Sequence, residues 1–129
     1  MTFYYIFSVA VWLAGTAVIR LDGQVVFAPG HQVAIAFAFA LLPPAMALLT
    51  RQLLARERDA VGKLTATILL VLPAMALDVA SIVAFSRVFP NLDPAIRGLL
   101  AAWLLWGYAS ILVTGLLLAR PAQELATAA

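Results

Sequence analysis

Four long apolar runs dominate the hydrophobic pattern of the chain. They cover residues 3–19, 33–50, 64–85 and 99–119. At 1.5 Å per residue each run reaches roughly the 30 Å thickness of a hydrocarbon core, the first being the shortest. A single strand cannot satisfy its backbone groups in lipid, so each run favours a helix. The pattern therefore predicts transmembrane helices at approximately 3–21, 33–52, 64–86 and 95–119.

The segments between the runs contain charged and turn-forming residues. The pair Asp93-Pro94 has the form of an N-cap followed by proline at the first helical position, which predicts that the fourth helix begins there. Pro43 and Pro44 fall inside the second helix and Pro73 inside the third. Each proline removes a backbone hydrogen bond, so we expect kinks there and carbonyl groups that need another donor.

Composition supports lipid as the solvent of this chain. Hydrophobic residues make up 65% of the 129 residues and charged residues only 11%, whereas about 25% is usual in soluble domains. The sequence therefore predicts one integral membrane domain, residues 1–129, with an all-α fold: a transmembrane four-helix bundle, antiparallel and up-down. The surrounding lipid bilayer is its expected partner, and a homo-oligomer is a further expectation.

Charge and cysteine content exclude several kinds of chemistry. The net charge of +2 comes from few residues, without the clustered basic face that nucleic-acid binding needs. The chain has no cysteine, so disulfides, thiolate catalysis and cysteine-ligated metals are excluded. His31 stands alone, and a metal site needs several ligands. We expect no catalytic residues, no metal and no cofactor.

The distribution of basic residues predicts the orientation of the helices. Segment 51–63 holds four Lys or Arg residues and the tail adds Arg120, while the opposite side carries Arg20, Arg87 and Arg97. The positive-inside rule applies to short loops of this kind. Both termini and the middle loop are therefore expected in the cytoplasm, in a multi-pass protein of the inner membrane.

Asp78 is the acid inside the third apolar run. A carboxylate in the middle of a membrane helix costs about 2.5–3.5 kcal/mol on insertion scales, so it must face the bundle and find donors, or be protonated. We place it in the outer half, about 10 Å below the helix end. Arg20 or the indole N–H of Trp106 is the expected donor, with Ser81 nearby. The candidate site is a polar binding pocket formed by Asp78, Arg20, Ser81, Trp103 and Trp106.

Polar and small residues also recur at helical spacing in the first and fourth runs. Ser8, Trp12 and Gly15 form one such stripe, and Trp103, Gly107, Ser110 and Thr114 form the other. Such stripes let membrane helices approach closely. Two interpretations of Asp78 stay open: a structural group that fixes helix packing, or a functional group in a site.

Two segments resemble a known family. The run FPNLDPAIRGLLAAWLLWGYASILVTGL, at 89–116, and WLAGTAVIRLDGQVVF, at 12–27, are similar to small four-helix bacterial membrane proteins classed as a domain of unknown function. The resemblance covers most of the chain and implies a bacterial inner-membrane protein, but no activity. Small multidrug exporters are similar in length and helix number. Their motif acid lies in the first helix, where this chain has FYYIFSVAVWLAGTAVI, so no exporter residue is carried over.

Three functions are compatible with these features. The first is a non-enzymatic accessory or scaffold subunit with a polar pocket and a structural Asp78. The second is a small oligomeric transporter in which Asp78 exchanges a proton for a substrate. The third, a membrane enzyme acting on lipid, is the weakest, because the outer loops lack paired carboxylates or a Ser/His arrangement. The sequence favours the first.

Overall fold

The computed structural model describes residues 1–120 and 128; residues 121–127 and 129 of the predicted domain lie outside the described part. Five α-helices follow one another: α1 (Thr2–Asp22), α2 (Gln32–Leu54), α3 (Ala60–Val83), α4 (Phe85–Val88) and α5 (Arg97–Ala119). Short 3-10 helices at Gly23–Val25 and Pro94–Ile96 join them. The described residues contain no strand, and the predicted all-α fold is confirmed. The four long helices are long and apolar enough to cross a membrane, which indicates a membrane protein.

Local capping explains where the helix bounds differ from the expected ones. α3 begins four residues earlier than predicted, because Asp59 caps it and accepts a hydrogen bond from the Gly62 amide at 2.6 Å. Its predicted end at residue 86 is interrupted at Ala84, which leaves α4 as a single turn. The predicted cap at Asp93 is confirmed: its carboxylate accepts from the Ala95 amide at 2.8 Å, and Pro94 opens the 3-10 turn before α5.

The four long helices form an open row in the order α1, α3, α5, α2. α3 packs against α1 on one side and α5 on the other, and α5 packs against α2. α1 and α2, at the two ends of the row, do not pack closely against each other. Because α3 is inside the row, it carries the largest set of buried residues: Ala66, Thr67, Leu70, Val71, Ala74, Asp78 and Ser81.

Contacts between helix ends define two ends of the bundle. One end of the bundle carries the N-terminus, and we call it the terminal end. There the Tyr4 hydroxyl donates to Glu57 Oε1 at 2.7 Å, and Lys63 Nζ donates to the Leu118 carbonyl at 3.1 Å. At the opposite end, which we call the loop end, a core of aromatic and aliphatic residues anchors the connections between helices. It consists of Phe27, Phe85, Phe89, Leu92, Ile96 and Leu100.

α3 and α5 approach each other closely at a glycine. A Cβ atom placed on Gly115 would clash with the Thr67 hydroxyl and would lie 2.5 Å from Thr67 Cγ2. A side chain there would force the two helices apart. Gly107, on the predicted small-residue stripe, faces α2 instead, where its added Cβ would lie 3.1 Å from Leu42 Cδ2. α5 therefore uses one glycine against each neighbour, as membrane helices commonly do.

A tryptophan side chain compensates for one of the two prolines of α2. Pro43 has no N–H, so the carbonyl of Phe39, four residues earlier, loses its helical donor. The indole of Trp106 on α5 donates to that carbonyl at 3.2 Å, and Trp103 donates to the neighbouring Ala38 carbonyl at 3.0 Å. Membrane helices tolerate proline when a neighbouring helix supplies the missing donor.

A similar bond occurs near Pro73 in α3. The carbonyl expected to lose its donor is that of Leu69, but the Ser8 hydroxyl of α1 donates to the next one, Leu70, at 2.7 Å. The prolines thus lie inside their helices as the sequence requires. The kinks expected at them, and the antiparallel up-down arrangement, stay predictions.

If Trp106 donates to the Phe39 carbonyl because Pro43 leaves it without a donor, Trp106 and Pro43 are energetically coupled. Trp106→Phe should lower the free energy of unfolding by about 1–3 kcal/mol, because a carbonyl in an apolar environment loses its donor. In a Pro43→Ala background the restored N–H serves the same carbonyl, so the loss should be smaller. Unfolding by sodium dodecyl sulfate in mixed micelles measures both.

Trp103→Phe is the matched control for this cycle. Its acceptor, Ala38, is paired in the helix with residue 42, which keeps its N–H in both backgrounds. The cost of Trp103→Phe should therefore be the same with proline or alanine at position 43. Equal costs of Trp106→Phe in the two backgrounds would show that the indole does not replace the missing backbone bond.

Candidate functional site

Asp78 joins three helices through its two carboxylate oxygens. The indole Nε1 of Trp12 on α1 donates to Oδ1 at 2.9 Å, and the Tyr108 hydroxyl on α5 donates to Oδ2. The side chain is buried, with 9% of its surface exposed. A buried carboxylate is tolerated only when its oxygens are hydrogen-bonded, and both are. We call Asp78, Trp12 and Tyr108 the carboxylate junction.

Helical spacing explains why these side chains converge. On α1, Ser8 and Trp12 are four residues apart and therefore lie on one face, and both donate to α3. On α5, Tyr108 and Gly115 are seven residues apart on one face, and both contact α3. The predicted polar stripe of α1 thus faces the helix that carries Asp78.

The helices that meet at the junction give its depth. Trp12 is the midpoint of α1, and Tyr108 is the midpoint of α5. Asp78 lies five residues before Val83, the last residue of α3. The carboxylate is therefore level with the middle of α1 and α5 but near the loop end of its own helix. Its location in the outer half of a membrane stays a prediction.

The donors expected for Asp78 were wrong. Arg20 Nη1 donates to the carbonyls of Arg87 and Val88, at 3.1 and 3.0 Å, at the loop end. Arg20 lies eight residues beyond Trp12, about 12 Å along α1, so its nearest acceptors are the free carbonyls at the end of α4. Trp106, the other expected donor, is occupied by the Phe39 carbonyl.

The remaining predicted residues also have other partners. Ser81 is buried, but its hydroxyl donates to the Leu77 carbonyl of its own helix at 3.0 Å. Trp103 bonds to α2 and packs edge-to-face on Phe27, with 5.3 Å between ring centroids. The structure therefore does not gather the five predicted residues around one carboxylate.

A cleft of about 380 Å³ runs beside the carboxylate junction. Its walls come from α1 and α2, and α3 and α5 form its floor. Of the five predicted residues, Asp78 and Trp103 border it; Arg20, Ser81 and Trp106 do not. Trp12 and Tyr108 do border it. Whether these residues bind a ligand stays a prediction.

Sequence reasoning missed Trp12 and Tyr108 as partners of Asp78. Each carries a polar donor in the middle of an apolar helix, and buried Tyr and Trp side chains usually find a hydrogen-bond partner for that group. That requirement was the available signal. Trp12 lies on the predicted stripe of the first helix, whereas no predicted stripe includes Tyr108.

The carboxylate junction is suited to holding side chains of three helices in fixed positions. An indole N–H and a phenol O–H supply hydrogen bonds to the carboxylate, and both donors are used within the fold. Within residues 1–120 and 128, no three His, Asp or Glu side chains are close enough to hold a metal ion. His31 Nδ1 lies 3.0 Å from the Val25 carbonyl in the loop after α1.

A double-mutant cycle should identify the partner of Asp78. Tyr108→Phe leaves one carboxylate oxygen without a donor, so it should lower the free energy of unfolding by about 1–3 kcal/mol. In an Asp78→Leu background that loss should largely disappear, giving a coupling energy of about 0.5–3 kcal/mol. Mixed-micelle unfolding of the four proteins gives the value.

The control pairs Asp78→Leu with Arg20→Gln. These residues share no partner, so their effects should add to within about 0.5 kcal/mol. Suppose instead that Asp78 is coupled with Arg20 while the effects at Asp78 and Tyr108 add. This result would support the ion pair expected from the sequence and refute the carboxylate junction.

Comparison with known proteins gives the chain a family. Neither a curated protein nor a solved structure matches it. A model of a family of unknown function, DUF5367, matches residues 26–122, about three quarters of the chain. This range contains the whole segment 89–116 on which the predicted resemblance rests, but little of the segment 12–27. The chain belongs to this family of unknown function.

Proposed function

We propose that the protein is a non-enzymatic accessory or scaffold subunit of the inner membrane. The observation that carries the proposal is the carboxylate junction. Both oxygens of Asp78 accept hydrogen bonds from neutral donors on two other helices. A group used in this way stabilises a fixed arrangement of helices, which is what a scaffold requires.

The polar side chains at the bundle ends support the same proposal. Arg20 donates hydrogen bonds to carbonyls at the end of α4, and Lys63 donates one to a carbonyl at the end of α5. Asn91 Nδ2 donates to the Ile19 carbonyl at 2.9 Å and to Gln24 Oε1 at 2.6 Å. These groups hold connections and helix ends in place, so much of the polar chemistry of the chain is used for architecture.

The orientation is part of the proposal. The terminal end holds Arg56, Arg58 and Lys63, and the greater share of basic residues supports a cytoplasmic location of that end. A homo-oligomer stays a prediction, since the exposed apolar faces of the helices suit lipid as well as protein.

Cysteine labelling tests the orientation in this cysteine-free chain. Arg58→Cys and His31→Cys introduce one thiol each at exposed positions of the terminal and loop ends. In intact cells, a membrane-impermeant maleimide should label position 31 and leave position 58 unlabelled until the cells are opened. The reverse labelling would invert the proposed topology.

A proton-coupled transporter is the second candidate, favoured by the position of Asp78. The carboxylate is level with the midpoints of α1 and α5 and borders the cleft. Ionisable residues at such a depth serve as proton carriers in many transporters. In that function Asp78 would have to release Trp12 or Tyr108 in each cycle.

Proton flux through the protein would favour the transporter over the scaffold. The parent and Asp78→Asn are reconstituted in liposomes with an internal pH-sensitive dye, and a potassium diffusion potential is applied with valinomycin. The scaffold proposal expects equal acidification rates for both proteins and for empty liposomes. Flux through the parent that is lost in a normally folded Asp78→Asn would establish the transporter instead.

A further inference from the structure

The cleft beside the carboxylate junction opens sideways, between α1 and α2. These two helices stand at the ends of the open row and do not pack closely against each other. Along α1 the cleft extends from Phe7 to Ile19, and along α2 from Leu42 to Leu53. In a bilayer, this opening faces hydrocarbon along its length.

The dimensions of the cleft restrict its occupant. Its extent along α1 is about 18 Å at 1.5 Å per residue, slightly more than one leaflet of a hydrocarbon core about 30 Å thick. A cleft of about 380 Å³ that is this long is narrow, whereas a helix with side chains is at least about 10 Å wide. The dimensions of the cleft therefore suit one extended hydrocarbon chain better than a helix.

The walls of the cleft are apolar in effect, although several polar residues border it. The hydroxyls of Ser8 and Thr50 donate to the carbonyls of Leu70 and Met46, both at 2.7 Å. Asp78 is covered by its two aromatic donors and is buried. These groups need no partner from a ligand, so a hydrocarbon chain could pass Ser8, Thr50 and Asp78 without leaving them unpaired. Thr16 also borders the cleft, and a helical threonine can donate to the carbonyl four residues before it.

We propose that the cleft between α1 and α2 binds one acyl chain of a bilayer phospholipid. The lateral opening lets one chain enter while the second chain and the headgroup stay in the surrounding leaflet. The chain would lie along α1 across the ring of Trp12 and past Gly15, where the wall has no side chain. This inference is independent of the proposed scaffold function, because it depends only on the shape and lining of the cleft.

Filling the cleft at Gly15 tests the proposal. A Cβ atom at this position would meet nothing within 4 Å, so the backbone accepts a side chain there. Gly15→Phe places a ring in the cleft, and Gly15→Leu is the smaller alternative. Leu13→Phe is the matched control, since Leu13 is 62% exposed on the same helix and does not border the cleft.

Native mass spectrometry of the detergent-purified proteins counts retained phospholipid. The parent and Leu13→Phe should each keep one phospholipid. Gly15→Phe or Gly15→Leu, checked for folding by circular dichroism, should bind it at least about tenfold more weakly. Equal retention in the Gly15 variants, or a retained species other than a phospholipid, would overturn the proposal.

A titration of the unaltered protein avoids any folding defect of the variants. Phosphatidylcholine with a brominated acyl chain is added to delipidated protein in detergent, and tryptophan fluorescence is followed. Binding in the cleft brings bromine against Trp12 and Trp103, which both border it. Quenching should saturate at one lipid per protein. Quenching that rises without saturation would mean that no such site exists.

Discussion

The structure depends on one requirement: a carboxylate buried inside a long apolar helix must have its oxygens hydrogen-bonded. Asp78 satisfies it by taking one donor from α1 and one from α5. Since these two helices do not pack closely on each other, the carboxylate is what links their midpoints through α3. Its insertion cost of about 2.5–3.5 kcal/mol is offset by hydrogen bonds that also fix the order of the helices in the row.

The same requirement applies to the backbone. Pro43 leaves the Phe39 carbonyl of α2 without its helical donor, and the indole N–H of Trp106 on α5 donates to that carbonyl. The Ser8 hydroxyl donates to the Leu70 carbonyl of α3, close to Pro73. Polar side chains in this apolar chain are thus placed mainly where another helix has an acceptor. The packing of α5 on α2 and of α1 on α3 combines close contact with hydrogen bonds that lipid cannot provide.

Much of the fold could be predicted from the sequence, because hydrophobic length and capping are local properties. The four helices, the cap at Asp93 and the need of Asp78 for donors are all of this kind. The identity of the donors is not, since it depends on how far one helix is shifted along the next. Trp106 was an expected donor to Asp78, whereas Tyr108, two residues further, is the donor on α5. Two residues correspond to about 200° around a helix, so Trp106 faces α2 and Tyr108 faces α3.

The distance between α1 and α5 tests most directly whether Asp78 links them. Spin labels on cysteines at Leu13 and Leu105, both exposed and on these two helices, can be measured by double electron–electron resonance in lipid nanodiscs. With Asp78 present, a single narrow distance distribution is expected. In Asp78→Leu, with α1 released from its hydrogen bond, the distribution should broaden and shift to longer distances. An unchanged narrow distribution in that variant would mean that the carboxylate does not hold the helices together.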